Sequence, residues 1–168
     1  VSEERFELAV RGSTDGLWDW NVTTNHVYFS PRLRELWGYA DEDFPPNFSS
    51  FESRLHADDY DRVLAAVDEH LKHHKPYDIE YRIRKKSGEH GWFRARGQAI
   101  WDELGRPLRM AGSLTDVTEE HRLREQFRLA VEASPAALIM VHRDGTILMA
   151  NSAAQGLFGF TQAELVNQ

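Results

Sequence analysis

The chain has 168 residues, a net charge of −7 and 41% hydrophobic residues, which suits one domain of ordinary size and part of a second. The acidic balance disfavours a nucleic-acid interface, which needs a basic surface, and the lack of cysteine excludes disulfides, thiolate metal ligands and cysteine nucleophiles. No apolar run approaches the roughly 18 residues of a membrane span, so we expect no membrane contact by these residues and a cytoplasmic location, although the full-length protein could be anchored in a membrane.

The opening of the chain predicts a short helix, a hairpin and a second helix. Residues 17–22 and 26–29 have the composition of strands and flank a Thr-Thr-Asn turn. Ser30 followed by Pro31 is a strong helix start, and Gly38 is placed to end that helix.

A long helix and three strands are predicted next. Residues 40–57 are rich in loop formers, and Asp58 or Asp59 is placed to cap a helix that ends before Pro76. Alternating apolar side chains then predict three hairpin-linked strands, at residues 77–84, 92–101 and 108–115. Two strands, helices and three further strands make an α+β layout with an antiparallel sheet.

Three histidines lie near the end of the long helix, at positions 70, 73 and 74. Their spacing puts them on one helix face, as a metal or haem ligand set would need. They stand in the last turn, where the helix dipole favours positive charge, so we expect all three to be solvent-exposed. The sequence predicts no metal site.

The chain contains an internal repeat. The stretch "QFRLAVEASPAALIMVHRDGTILMANSAAQGLFGFTQAEL" aligns without a gap with "RFELAVRGSTDGLWDWNVTTNHVYFSPRLRELWGYADEDF", which begins 121 residues earlier. A period this long indicates tandem domains rather than a solenoid. We expect a complete first copy and a truncated second copy.

Several stretches of the first copy together resemble a PAS domain followed by a PAC segment: "FELAV…STDGLWDWN", "FSPRLRELWGY", "LHADD", "YDIEYRIRKKSGEHGWFRARG" and "GSLTDVTE". The resemblance implies a five-stranded antiparallel sheet of order 2-1-5-4-3 with helices on one face. It also implies a sensory or dimerising role in a bacterial signalling protein. The predicted organisation is an N-terminal flanking helix (1–14), a PAS domain with PAC segment (15–117), a signalling or linker helix (118–133) and the truncated start of a second PAS domain (134–168).

Catalytic and cofactor signatures are missing. The sequence has neither a G-x-S-x-G nucleophile elbow nor a phosphate-binding loop, so we predict no catalytic residues and no enzymatic activity of this fragment. Without cysteine the chain cannot form the covalent flavin bond of light-sensing relatives. The sequence favours no cofactor and leaves haem or a non-covalently bound flavin as alternatives.

A cavity between the sheet and its helices would be walled by apolar side chains. The candidate walls are Phe29, Leu33, Leu36, Trp37, Val63, Val67, Ile79, Tyr81, Phe93, Ala95, Met110 and Leu114. Their ligand would be small and apolar or aromatic; the alternative is that they simply fill the core. Trp18 and Trp20 align with Ile139 and Val141 of the second copy, which favours packing over a site, with Trp20 kept as a less favoured pocket wall.

The junction "DVTEEHRLREQFRLAVEAS" predicts a relay and a dimer seam. Asp116 and Thr118 would pass a change in the last strand to the next helix, as the family resemblance implies. Apolar residues spaced for a short coiled coil predict a homodimer seam of Phe6, Val10, Leu123, Phe127 and Ala130.

The predicted function is a PAS domain that binds a small ligand or dimerises and relays a signal to a C-terminal output domain. A histidine kinase is the favoured output in a two-component system, followed by a diguanylate cyclase or phosphodiesterase of cyclic di-GMP. The alternatives are a ligand-free homodimerisation and spacer module and a haem- or flavin-based redox or gas sensor.

Overall fold

A computed structural model describes residues 2–39 and 44–166, except for the side chains at positions 2, 3, 6, 7 and 11. The chain forms two compact units, residues 1–118 and 119–168. The predicted seam side chain of Phe6 lies outside the described part. Within the described residues, no helix is long and apolar enough to cross a membrane.

The first unit contains a five-stranded antiparallel sheet and its helices. Its elements are α1 (Ser2–Gly12), β1 (Gly16–Asn21), β2 (Val27–Phe29), α2 (Pro31–Trp37), α3 (Phe48–Glu52), α4 (Ala57–His73), β3 (Tyr77–Arg84), β4 (His90–Trp101) and β5 (Pro107–Asp116). The strand order is β2-β1-β5-β4-β3, so the predicted α+β PAS architecture is confirmed. The short helix α3 lies in a segment for which the sequence predicted only loop.

Helix α2 follows the predicted local rules. Ser30 caps its start, because the Ser30 hydroxyl accepts a hydrogen bond from the Leu33 N–H, and Pro31 occupies the first turn. Gly38 ends it in the left-handed conformation, with φ of 78°, which a residue without a Cβ adopts at no steric cost.

One row of residues across the sheet shows why two positions on its inner face are glycine. Trp18 is opposite Gly112, Gly112 is opposite Gly97, and Gly97 is opposite Tyr77. A Cβ on Gly97 would lie 2.5 Å from the Trp18 ring, and one on Gly112 would lie 2.7 Å from it. The indole therefore covers both glycines and meets Tyr77 edge-on, with ring centroids 6.2 Å apart.

The N-terminus of α4 is capped differently from the prediction. His56 is the N-cap, and its Nδ1 accepts the Asp58 N–H at 3.1 Å. The prediction that Asp58 or Asp59 caps the helix is wrong, because both lie in the first turn. Asp59 is buried and accepts hydrogen bonds from the backbone N–H and the guanidinium of Arg82, which attaches α4 to edge strand β3.

The C-terminus of α4 is attached to the sheet by His70. The Ala99 N–H donates to His70 Nε2 at 3.0 Å, so His70 Nδ1 carries the proton and donates to the Lys75 carbonyl at 2.5 Å. All three histidines were predicted to be exposed. The prediction is wrong for His70, which is buried, whereas His73 and His74 are exposed. The His70 ring follows the apolar stripe of α4 because it lies three residues after Val67.

The second unit repeats the opening of the first. Its elements are α5 (Thr118–Ala133, which begins at the last residue of the first unit), β6 (Ile139–Val141), β7 (Ile147–Ala150), α6 (Ser152–Phe158) and α7 (Gln162–Leu165). Helix α6 has the bounds of α2 moved by 121 residues, and it too ends at a left-handed glycine, Gly159. Asn151 takes the place of Ser30 as the cap.

Candidate ligand-binding site

A cavity of about 50 Å³ lies in the first unit between the inner face of the sheet and helices α2, α3 and α4. Its wall is built from Trp18, Trp20, Val27, Phe29, Leu33, Trp37, Phe48, Phe51, Val67, Tyr77, Tyr81, Met110 and Leu114. Stacking of Trp20 on Phe48, with ring centroids 4.6 Å apart, joins β1 to α3 at one side of this wall. Every side chain in the wall is uncharged.

The structure brings seven of the predicted wall residues together at this cavity: Phe29, Leu33, Trp37, Val67, Tyr81, Met110 and Leu114. The other five lie elsewhere. Val63, Phe93 and Ala95 are buried in the core, and Leu36 and Ile79 pack against it. The described wall contains no side chain of β4, and the central Gly97 of that strand is covered by Trp18.

Five wall residues were not among the sequence candidates: Trp18, Val27, Phe48, Phe51 and Tyr77. A sixth, Trp20, was kept only as a less favoured pocket wall. Both tryptophans, for which packing was favoured, line the cavity. Phe48 and Phe51 are three residues apart, which is helical spacing, but the surrounding segment was interpreted as loop. That spacing was the available signal.

The polar groups of the wall are few. The indole nitrogens of Trp18 and Trp20 donate to the Ser113 carbonyl and to Asn25 Oδ1, each at 3.2 Å. Burial raises the pKa of the Tyr81 hydroxyl well above its usual value, and burial likewise raises the pKa of Tyr77, so both are neutral at physiological pH. A charged ligand would therefore be buried without a counter-charge, which is strongly unfavourable.

The cavity does not fit haem or flavin. A dry cavity of about 150 Å³ holds a molecule as small as benzene, and this one is about 50 Å³. No histidine stands in the described wall, and both ring nitrogens of the nearby buried His70 already have partners. Among the described residues, no group of three or more His, Asp or Glu side chains could hold a metal ion.

The end of β5 lies close to the cavity along the chain. Met110 and Leu114 are wall residues on β5, and Asp116 is its last residue. Asp116 Oδ1 accepts the Thr118 N–H at 2.9 Å, and the Thr118 hydroxyl accepts the Trp92 N–H at 3.0 Å. These bonds tie the first residue of α5 to β4.

The predicted seam residues of α5 are exposed. Leu123 and Phe127 each expose about half of their surface, at 51%, and Ala130 is also exposed. In α1, Val10 is half-buried. An apolar stripe of this kind leaves a surface that a partner could cover.

Comparison with known proteins identifies the family. A profile described as PAS fold matches residues 26–114, more than half of the chain, and a second one matches residues 125–168. The chain belongs to the PAS family. PAS domains are sensor modules, and this PAS chain has its relatives among histidine kinases and diguanylate cyclases.

Two relatives illustrate this. Sensor protein FixL of Bradyrhizobium diazoefficiens is 31% identical over 98% of this PAS chain, which spans 34% of that relative. Probable diguanylate cyclase DgcE of Escherichia coli is 23% identical over 96% of the chain, which spans 15% of that relative. The chain thus spans about a third or less of these proteins.

A crystal structure of a sensory box histidine kinase/response regulator from Burkholderia thailandensis supports the same assignment. It has a TM-score of 0.67 and 44% identity to this PAS chain, covering 75% of this chain and 94% of the crystallised one.

Proposed function

We propose that the first PAS copy is a receptor for a small uncharged ligand and that it relays occupancy of its cavity to α5 and to a C-terminal output domain. The observation that carries this proposal is the preformed apolar cavity at the centre of the fold. A sensor needs a site where a ligand favours one state over another, and a mostly apolar cleft or cavity is the usual form of such a site.

The chemistry of the wall supports a neutral ligand. Its side chains are uncharged and almost wholly apolar, so a neutral ligand is favoured. A volume of about 50 Å³ is about a third of that which holds benzene, which admits roughly two to four non-hydrogen atoms without rearrangement. A larger apolar or aromatic ligand requires α3 or α4 to move away from the sheet.

The relay is proposed to run along β5. A ligand pressing on Met110 and Leu114 would displace the strand that ends at Asp116. The hydrogen bonds of Thr118 to Asp116 and Trp92 would register that displacement at the first residue of α5. We further propose a histidine kinase as the output, with a diguanylate cyclase as the next choice, because both are named among the relatives.

A ligand-free homodimerisation and spacer module is the second candidate. The exposed apolar residues Leu123 and Phe127 of α5 favour it, since a second copy of the chain would cover them. In this case the cavity is an incidental packing void.

A thermal-shift screen of small neutral metabolites separates the two candidates. The receptor proposal predicts that at least one compound raises the melting temperature of the wild type and has no effect on Val67→Phe, in which the new ring occupies the cavity. The same compound should change amide hydrogen exchange in residues 118–133. Circular dichroism checks that the variant is folded. A screen without any stabilising compound would refute the receptor and leave the spacer module.

A further inference from the structure

A stacked pair of aromatic rings closes the side of the cavity between β1 and α3. Nine of the wall residues are buried, whereas Trp18, Trp20, Phe48 and Phe51 are half-buried. The Trp20 and Phe48 rings have centroids 4.6 Å apart and an interplanar angle of 29°. The stacked pair therefore lies where the wall reaches the molecular surface.

Helix α3, which carries Phe48, is bonded to the sheet only near its two ends in the described part of the chain. The Val27 N–H donates to the Pro46 carbonyl just before α3, at 2.9 Å. The Arg84 N–H donates to the Arg54 carbonyl just after α3, also at 2.9 Å. Between these two bonds, the backbone groups of α3 bond within their own segment. Side-chain contacts hold the middle of α3, so it can open at a lower cost than a hydrogen-bonded strand.

Two further side-chain contacts hold α3, and both involve its C-terminal part. Phe51 meets Tyr81 edge-on with ring centroids 5.5 Å apart, and the Tyr60 hydroxyl donates to Glu52. A motion that pivots about these contacts separates the stacked pair of rings and keeps α3 attached to the domain.

We propose that the ligand of this cavity is a planar aromatic molecule that inserts between Trp20 and Phe48 while α3 moves away from the sheet. This inference rests on the proposed receptor function and adds the chemical class of the ligand. A dry cavity of about 150 Å³ holds benzene, so one of about 50 Å³ accepts an aromatic ring only when its wall opens.

The energetics of insertion favour a flat ring. Insertion replaces the contact between Trp20 and Phe48 by two contacts between these rings and the ligand. Each aromatic contact is favourable beyond the apolar surface that it buries. A saturated ring of the same size buries similar surface but has no π-system, so it does not gain the two contacts.

The test compares benzyl alcohol with cyclohexylmethanol, which are both neutral and carry the same hydroxymethyl group, but only the first has an aromatic ring. Titrations of the full chain followed by ¹H–¹⁵N correlation spectra give both affinities. Phe48→Leu keeps an apolar side chain on α3 and removes its ring. Tyr28→Leu is the matched control, because Tyr28 is 51% exposed on β2 and lies outside the described wall. Circular dichroism checks that both variants are folded.

The proposal predicts that the wild type binds benzyl alcohol at least about fivefold more tightly than cyclohexylmethanol, the effect of two aromatic contacts. Phe48→Leu should lower this preference about two- to tenfold, and Tyr28→Leu should leave it unchanged. Without any variant, the ring protons of bound benzyl alcohol should shift upfield, because they lie against two aromatic faces.

Equal affinities for the two alcohols, or ring protons that do not shift, would overturn the aromatic sandwich and leave the receptor standing. Binding of neither alcohol would also overturn the sandwich. The receptor itself is refuted separately, by a metabolite screen without any stabilising compound.

Discussion

The two copies build the same hairpin and helix but bury them differently. Ser30 accepts the N–H groups of Leu17 and Leu33, and in the second copy Asn151 accepts those of Leu138 and Ala154. These are the same positions moved by 121 residues. Local sequence is therefore enough to specify this part of the PAS fold twice.

Burial shows what the local sequence does not specify. Trp37 is 1% exposed, whereas its counterpart Phe158 is 51% exposed. In the first copy the later strands and α4 cover the helix and enclose the cavity, and the described residues of the second copy contain no counterparts of them. The site thus depends on contacts between segments far apart in the chain.

Removing the Asp59–Arg82 contact, which has no counterpart in the described residues of the second copy, should lower the free energy of unfolding most. Asp59→Ala leaves the Arg82 side chain and backbone N–H without their acceptor, so we expect the free energy of unfolding to fall by about 3–5 kcal/mol. Urea denaturation measures it. Asp78→Ala is the control, because Asp78 pairs with Arg94 at the surface and such pairs contribute about 0–1 kcal/mol. Equal losses would contradict a structural role for the buried pair.

The same contact predicts a pH dependence. Hydrogen bonds from Arg82 hold the pKa of Asp59 well below its usual value. The stabilisation is therefore complete above the unfolded-state pKa of about 3.9 and is lost as the pH falls from there towards the lower folded-state pKa. Stability measured between pH 5 and pH 2 should decline more steeply for the wild type than for Asp59→Asn. Parallel curves would show that Asp59 does not supply this dependence.

Replacing Trp18 by the corresponding residue of the second copy should have the next largest effect on stability. Trp18→Ile, the residue of the second copy, should cost about 2–4 kcal/mol because it uncovers Gly97 and Gly112. Gly97→Ala alone should cost about 1–3 kcal/mol, because its methyl group meets the Trp18 ring. In a double-mutant cycle, Gly97→Ala should destabilise the Trp18→Ile variant much less than it destabilises the wild type. If the losses of stability from the two substitutions simply added, the packing of Trp18 on Gly97 would be contradicted.

Substitutions at the N-cap of α2 test the local similarity of the two copies, and we expect a smaller change in stability. Ser30→Ala should cost about 1–2 kcal/mol, because two amide groups lose their acceptor. Ser30→Asn, which copies the second PAS domain, should retain most of the stability. Hydrogen exchange at Leu17 and Leu33 should quicken in the first variant only. Equal protection in all three proteins would mean that the cap is not needed.

The exposed seam should affect stability least. Phe127→Ser should change the stability of the monomer by no more than about 0.5 kcal/mol, since the ring is exposed. If α5 mediates dimerisation, the variant should have a weaker self-association by sedimentation or light scattering. Unchanged association would count against this seam, and Arg124→Ser on the same helix serves as the polar control.

Regular elements of the fold were predictable because their signals are local. Ser30, Pro31 and Gly38 mark α2 to the residue, and the alternation along β3 to β5 gives each strand its inner face. His70 was not predictable from its polarity, because its partners Lys75 and Ala99 lie 5 and 29 residues away.

The cavity wall was predictable only in part. Residues on α2 and β5, such as Leu33 and Met110, follow from periodicity. Phe48 and Phe51 reach the wall through a helix of only five residues, in which a single three-residue spacing is too weak a signal to outweigh the loop-forming residues around it. Ala95 and Phe93 lie in the buried core and not in the described wall, a difference that depends on packing across the assembled sheet and not on local sequence.

Xenon binding tests the central claim most directly, because xenon enters dry apolar cavities without requiring hydrogen bonds. A crystal of the chain under xenon pressure should show one xenon atom in contact with Trp37, Leu33 and Leu114, and none at the corresponding helix of the second copy. The atom should be absent in Val67→Phe. Xenon missing from the wild-type cavity, or bound equally in both copies, would contradict a preformed ligand site in the first PAS domain.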